Sequence, residues 1–216
     1  MQSTSVTLLG LALALFGPGV VALASKHYGA ESSVEASLPW LLAFALLVAM
    51  VRAIAIFAEN LGASAIGFAG TSLASIPLAV ALAAFFIFLF GPLAAWALAK
   101  SGLGGFEEGV NRFAALPSWY LAVTIIVVAG GEEWLYRGYA IERLTALTGR
   151  AWLAGGISLL AFGLAHLPLW GIGVSLTTLV SGGILTLLYI WRRDVSFLML
   201  AHALTDLYAF LVALRR

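Results

Sequence analysis

Three polar clusters interrupt otherwise apolar stretches of this chain: Glu132-Glu133-x-x-x-Arg137, Phe162-x-x-x-His166 and His202-x-x-x-Asp206. An Asp at the centre of a bilayer costs on the order of 3 kcal/mol by insertion scales, so such residues persist where they face a protein interior or a water-filled cavity. Glutamate beside histidine can activate water as a general base. A second histidine with a polar partner can stabilise the oxyanion of a tetrahedral intermediate. Two histidines with one or two carboxylates can also hold a divalent ion that activates its own water. A His-Glu-x-x-His pair on one helix is absent, which removes the zincin arrangement.

Spacing tests whether the clusters can meet. Glu133 and Arg137 are four residues apart, share a helical face and can pair. Glu132 lies about 100° away around the helix and is free to point elsewhere. Glu132 and His166 lie seventeen residues before and after Gly149, so an antiparallel hairpin turning there puts them at one height. His202 and Asp206 share a face roughly 12–18 Å beyond the Arg192-Arg193 turn, well inside a hydrocarbon layer.

The elements that must position these residues are membrane helices. Of the 216 residues 62% are hydrophobic and 10% charged, against roughly 25% charged in an average soluble domain. The expected fold is an all-α polytopic membrane bundle of about seven transmembrane helices, a single domain over 1–216. The predicted helices cover 4–24, 38–57, 73–99, 117–147, 151–167, 173–190 and 195–214. Kinks are expected at Gly17-Pro18-Gly19 and Gly91-Pro92, and Pro168 is expected to end the fifth helix. The uncharged stretch from Asn60 has room for a re-entrant or interfacial segment before the third helix.

The chain has no cysteine, which excludes a disulfide framework, a thiolate zinc site and a cysteine nucleophile. Its net charge of +1 gives no basic stripe for nucleic acid. Residues 1–5 lack Lys and Arg, so the first apolar stretch reads as a retained helix and not a signal peptide. Positive charge does not choose an orientation. Arg52, Arg137, Arg143, Arg150, Arg192 and Arg193 fall on one side, and Lys26, Lys100, Arg112, Arg215 and Arg216 on the other. His27, Glu107-Glu108 and Arg215-Arg216 read as solvated or interfacial, and Phe162 as packing.

The three motifs together, over about residues 117–212, resemble the CPBP family of CAAX-protease and bacteriocin-processing (Abi) proteins, whose eukaryotic members are prenyl-protein endopeptidases of the Rce1 type. The family pattern is Glu-Glu-x-x-x-Arg, Phe-x-x-x-His and His-x-x-x-Asn or Asp. The resemblance implies an intramembrane endopeptidase acting on a membrane-associated peptide or protein, with 117–212 as its catalytic core. It implies Glu132 as base, Glu133 and Arg137 as an orienting pair, His166 assisting water activation, and His202 with Asp206 at the oxyanion. Many members carry Asn at the position of Asp206, and a neutral amide is a poor zinc ligand. A metal-free site is therefore expected, with zinc the less favoured alternative. A bacterial inner (plasma) membrane is the expected location. Two readings compete: a proton-coupled transporter using the same residues as a relay, and an immunity or scaffold protein.

Overall fold

In a computed structural model, the structure describes residues 4–28, 33–70, 72–103, 106, 110–111, 113 and 115–213. Glu107, Glu108, Arg112, Arg215 and Arg216 lie outside the described residues. The described chain is helical nearly throughout, and its one β contact is an isolated bridge between Phe68 and Asp194. It is a helical membrane bundle. Helix α1 is Thr4–His27, α2 Val34–Ala58 and α3 Ser75–Ser101. Helix α4 runs over 118–148 as an α-helix to Glu133, a π-helical segment Trp134–Ile141 and a last α-helical segment Glu142–Thr148. The final helix, called α7 below, is Val195–Ala213.

Between α4 and α7 the chain is continuously helical from Ala151 to Arg192 except at Gly171, where φ is 76° and ψ 179°. As one rod these 42 residues would reach roughly 63 Å, twice a bilayer's hydrocarbon thickness of about 30 Å. They fold back instead. Gly183 approaches Leu159, twelve residues either side of Gly171, and Gly163 approaches Leu179, eight either side. The run is therefore an antiparallel hairpin of α5 (151–170) and α6 (172–192).

The expected stop at Pro168 is corrected: Pro168 lies inside α5. Proline removes one helical hydrogen bond but leaves the chain direction intact. The reversal needs a positive φ with extended ψ, a region essentially reserved for glycine. Other boundaries moved for local reasons. Helix α2 starts at Val34 because the Ser33 hydroxyl accepts from the Ala36 N–H at 3.2 Å, an N-cap that satisfies an orphan donor. Helix α1 stays helical through Gly17-Pro18-Gly19. Before Gly91-Pro92, α3 widens into a π-turn over Phe86–Phe90, which accommodates the missing proline N–H.

Helix α4 is the central post, packing against α1, α2, the α5–α6 hairpin and α7, while α3 packs on α7. The segment 60–74 forms a short 3-10 turn, Ala63–Ile66, and leans on α4. A Cβ on Gly67 would stand 2.5 Å from the Gly138 Cα, so neither residue has room for a side chain. Buried polar contacts tie this end together. Thr7 and Tyr139 hydroxyls donate to the two oxygens of Glu59 at 2.6 and 2.7 Å. The Tyr189 hydroxyl donates to Glu142 at 2.7 Å, and Ser75 to Asp194 at 2.7 Å. Each such bond to a charged acceptor contributes roughly 1.5–3 kcal/mol.

The hairpin has a direct test in this cysteine-free chain. Cysteines at Leu159 and Gly183 should be bridged rapidly by a short bismaleimide in the membrane. In a single straight rod the two positions would be about 36 Å apart and would stay unbridged on a denaturing gel.

Candidate active site

Local chain geometry explains how α4 presents its motif. Glu133 is the last α-helical residue before the π-helical segment. A π-turn rotates the residues that follow it relative to a regular helix and is frequent at functional sites. The Tyr136 ring packs against Phe162 at 5.1 Å between centroids. These two residues are thirteen positions either side of Gly149, so the α4–α5 hairpin keeps the register that puts Glu132 and His166 one turn further on.

Glu133 is fully buried and is the hub. Its Oε1 accepts from Arg137 Nη1 at 2.9 Å and lies 2.9 Å from His202 Nδ1. Its Oε2 is buried with no hydrogen-bond partner among the described residues. Arg137, 1% exposed, also donates to the Gly182 carbonyl at 3.2 Å and sits 4.2 Å over the Phe162 ring. Gly182 is needed there, since a Cβ would stand 2.9 Å from Phe162 and 3.0 Å from Arg137. The His202 ring is held from both sides, with Nε2 3.4 Å from Asp206. Both ring nitrogens can donate at once only when both carry protons.

Glu132 is the other kind of glutamate. It is half-buried and makes no hydrogen bond or ion pair among the described residues. His166, His202, Asp206 and Glu133 are its titratable neighbours. The His166 Nδ1 is 2.8 Å from the Phe162 carbonyl. A carbonyl only accepts, so Nδ1 carries the proton there and Nε2 of the neutral ring is the free acceptor.

The structure thus brings the six sequence-derived residues near one another, but in two sets. Glu133, Arg137, His202 and Asp206 are joined by direct contacts. Glu132 and His166 stand beside them, unbonded to that network. Among the described residues no three His, Asp or Glu side chains are arranged as a metal-ligand set. Glu133 Oε1 is engaged by Arg137 and His202, and His166 Nδ1 by a carbonyl.

Phe162 exceeds the packing role its type suggested. It stacks on Arg137 and meets the His166 ring edge-on at 4.7 Å, so one ring braces a member of each set. Its four-residue spacing to His166 was the available signal. Gly182 carried no signal, because its contribution is a carbonyl and an absent side chain.

A bundle of long apolar helices, four of them long and apolar enough to cross a membrane, is an integral membrane protein. Residues 114–208 match the family described as type II CAAX prenyl endopeptidase, Rce1-like. That segment, under half of the chain, is similar to CAAX-type intramembrane endopeptidases. No curated protein and no solved structure matches the chain significantly.

Glu133→Gln should be costly in stability. It removes the charge that neutralises buried Arg137 and holds His202, a loss of about 3–5 kcal/mol. The expected result is a lower yield and a reduced unfolding temperature in detergent, both to a greater degree than for Glu132→Gln.

Proposed function

We propose that the protein hydrolyses a peptide bond of a membrane-associated peptide or protein by water attack, with Glu132 as general base. The observation that carries this reading is the contrast between the two glutamates. Glu133 is fully buried and held in place by Arg137 and His202 through one oxygen, whereas Glu132 is half-buried, unbonded among the described residues and near His166. A base must have a free lone pair within reach of the proton it takes.

In this reading water sits between Glu132 and His166 Nε2. Glu132 takes one proton as the water oxygen bonds to the scissile carbonyl carbon. The developing oxyanion is met by His202 Nε2–H, whose 3.4 Å contact with Asp206 is long enough to yield to a better acceptor. Collapse of the intermediate breaks the C–N bond, and Glu132 returns the proton to the leaving amine. Glu133 and Arg137 hold His202 and the α4–α6 contact in place. Phe162 fixes the His166 ring. No metal takes part. The catalytic core is 117–212 within a single membrane domain of seven spans, counting the α5–α6 hairpin as two. The proposed place is the inner membrane of a bacterium, where the resemblance puts peptide-maturing members of the family.

Glu132→Gln should lower cleavage of a fluorogenic prenylated peptide by about 10²–10⁴-fold, the usual worth of a general base, with protein level and unfolding temperature unchanged. Retained cleavage in that variant would remove Glu132 from the role of base.

Asp206→Asn should keep at least a tenth of the wild-type rate, because an amide can still position His202 and adds a donor. Chelator-treated protein, shown metal-free by mass spectrometry, should still cleave. Activity lost with a stoichiometric metal and regained on its return would make the centre a metalloprotease site.

A further inference from the structure

Two polar groups on α4 each lack what the other offers. The first is the phenol of Tyr136, a fully buried side chain. The rest of that residue is well held. Its ring packs on Phe162 at 5.1 Å between centroids, and its backbone carbonyl accepts from the Ser158 hydroxyl at 2.6 Å. The hydroxyl itself reaches the Leu15 carbonyl of α1 at 3.4 Å, beyond the roughly 2.5–3.0 Å of an ordinary O–H···O bond. A buried donor so weakly satisfied calls for a physical reason.

The second is Glu132, four residues earlier, which makes no hydrogen bond among the described residues and so lacks a donor. Residues four apart lie within about 40° of each other around a helix, and Glu132 is a titratable neighbour of Tyr136. Two other buried phenols show the pairing that this one lacks. Tyr139 donates to Glu59 and Tyr189 to Glu142, each at 2.7 Å. Helix α1 flanks both groups. Its Leu15 meets the Tyr136 hydroxyl, and Gly19, one turn on, faces Ala165 beside His166: a Cβ there would stand 3.5 Å from the Ala165 Cα.

We propose that Tyr136 is a positioning residue for Glu132: its O–H exchanges the Leu15 carbonyl for one oxygen of the Glu132 carboxylate, fixes that side chain, and leaves the other oxygen to take the proton of water. The proposal rests on the reading of Glu132 as the base. A hydrogen bond to an ionised acceptor is roughly twice as strong as one between neutral groups, so the exchange improves the bonding of both partners. It requires only that the unbonded Glu132 side chain and one hydroxyl turn, while the Tyr136 ring stays on Phe162. A base held in one orientation spends less of each turnover out of line with its water, an advantage that appears in kcat.

The test takes away one oxygen atom, in full-length protein in nanodiscs. Tyr136→Phe should lower kcat for a fluorogenic prenylated peptide about tenfold, the worth of one hydrogen bond to a charged group, with KM and unfolding temperature unchanged. Tyr139→Phe is the control. It strips a donor from Glu59, and should lower the unfolding temperature while the folded protein keeps its kcat. A second measurement needs no loss of the hydroxyl. With Tyr136 replaced by meta-fluorotyrosine, the fluorine NMR resonance should move on Glu132→Gln and hold on Asp206→Asn.

An unchanged kcat in Tyr136→Phe overturns the proposal. So does a loss confined to the unfolding temperature, which would make the phenol a structural tether to α1. A fluorine resonance indifferent to Glu132→Gln overturns it whatever the cleavage rate. If the wild-type protein does not cleave, a resonance that responds to Glu132→Gln supports the pairing of phenol and carboxylate and sinks the protease reading alone.

Discussion

A carboxylate sealed in an apolar bundle must be neutralised, and the way Glu133 meets that demand organises the rest of the molecule. Removing an ionised group from water costs several kcal/mol even after relaxation. Glu133 recovers this by sharing one oxygen between Arg137 of its own helix and His202 of α7. Arg137 in turn needs an aromatic face and a carbonyl, which Phe162 and Gly182 supply from the two arms of the hairpin. One buried charge thereby ties α4, α5, α6 and α7 into a fixed arrangement. The second glutamate, one residue earlier, is left unbonded because the helix turns it about 100° away.

The remaining buried polar groups sit towards the end of the bundle that holds the Gly149 and Arg193 turns. Glu59, Glu142 and Asp194 each accept from hydroxyls on other elements. With the close approach of Gly67 to Gly138, they pin the 60–74 segment and the π-helical part of α4. A π-helix gives up regular hydrogen bonding, so it needs such outside contacts to persist. The site is thus braced by residues from the first half of the chain, beyond the matched segment 114–208.

The division between reactive and structural groups follows from burial and partners. Side chains with every direction occupied, such as Arg137, cannot exchange a contact without breaking the bundle. Glu132, His166 Nε2 and the long His202–Asp206 contact are the loose members, and a substrate can compete for them at little cost.

Much of this was legible in the sequence because its causes are local. Hydropathy marks helices that must satisfy their own backbone in lipid, and four-residue spacing puts Glu133 with Arg137 and His202 with Asp206 on common faces. Counting from Gly149 gave the expectation that Glu132 and His166 share a height, and the contact of Tyr136 with Phe162, equally spaced from Gly149, is in keeping with it. Contacts between helices were not legible. That Glu133 would also hold His202 and that Gly182 would offer a carbonyl to Arg137 depend on how helices rotate and cross, which no spacing encodes. Pro168 misled because proline is the stronger sequence signal for a break, while the reversal required the one backbone conformation that Gly171 alone could adopt without strain. Sequence determined which residues share a helix face. Only the packed bundle decided which faces meet.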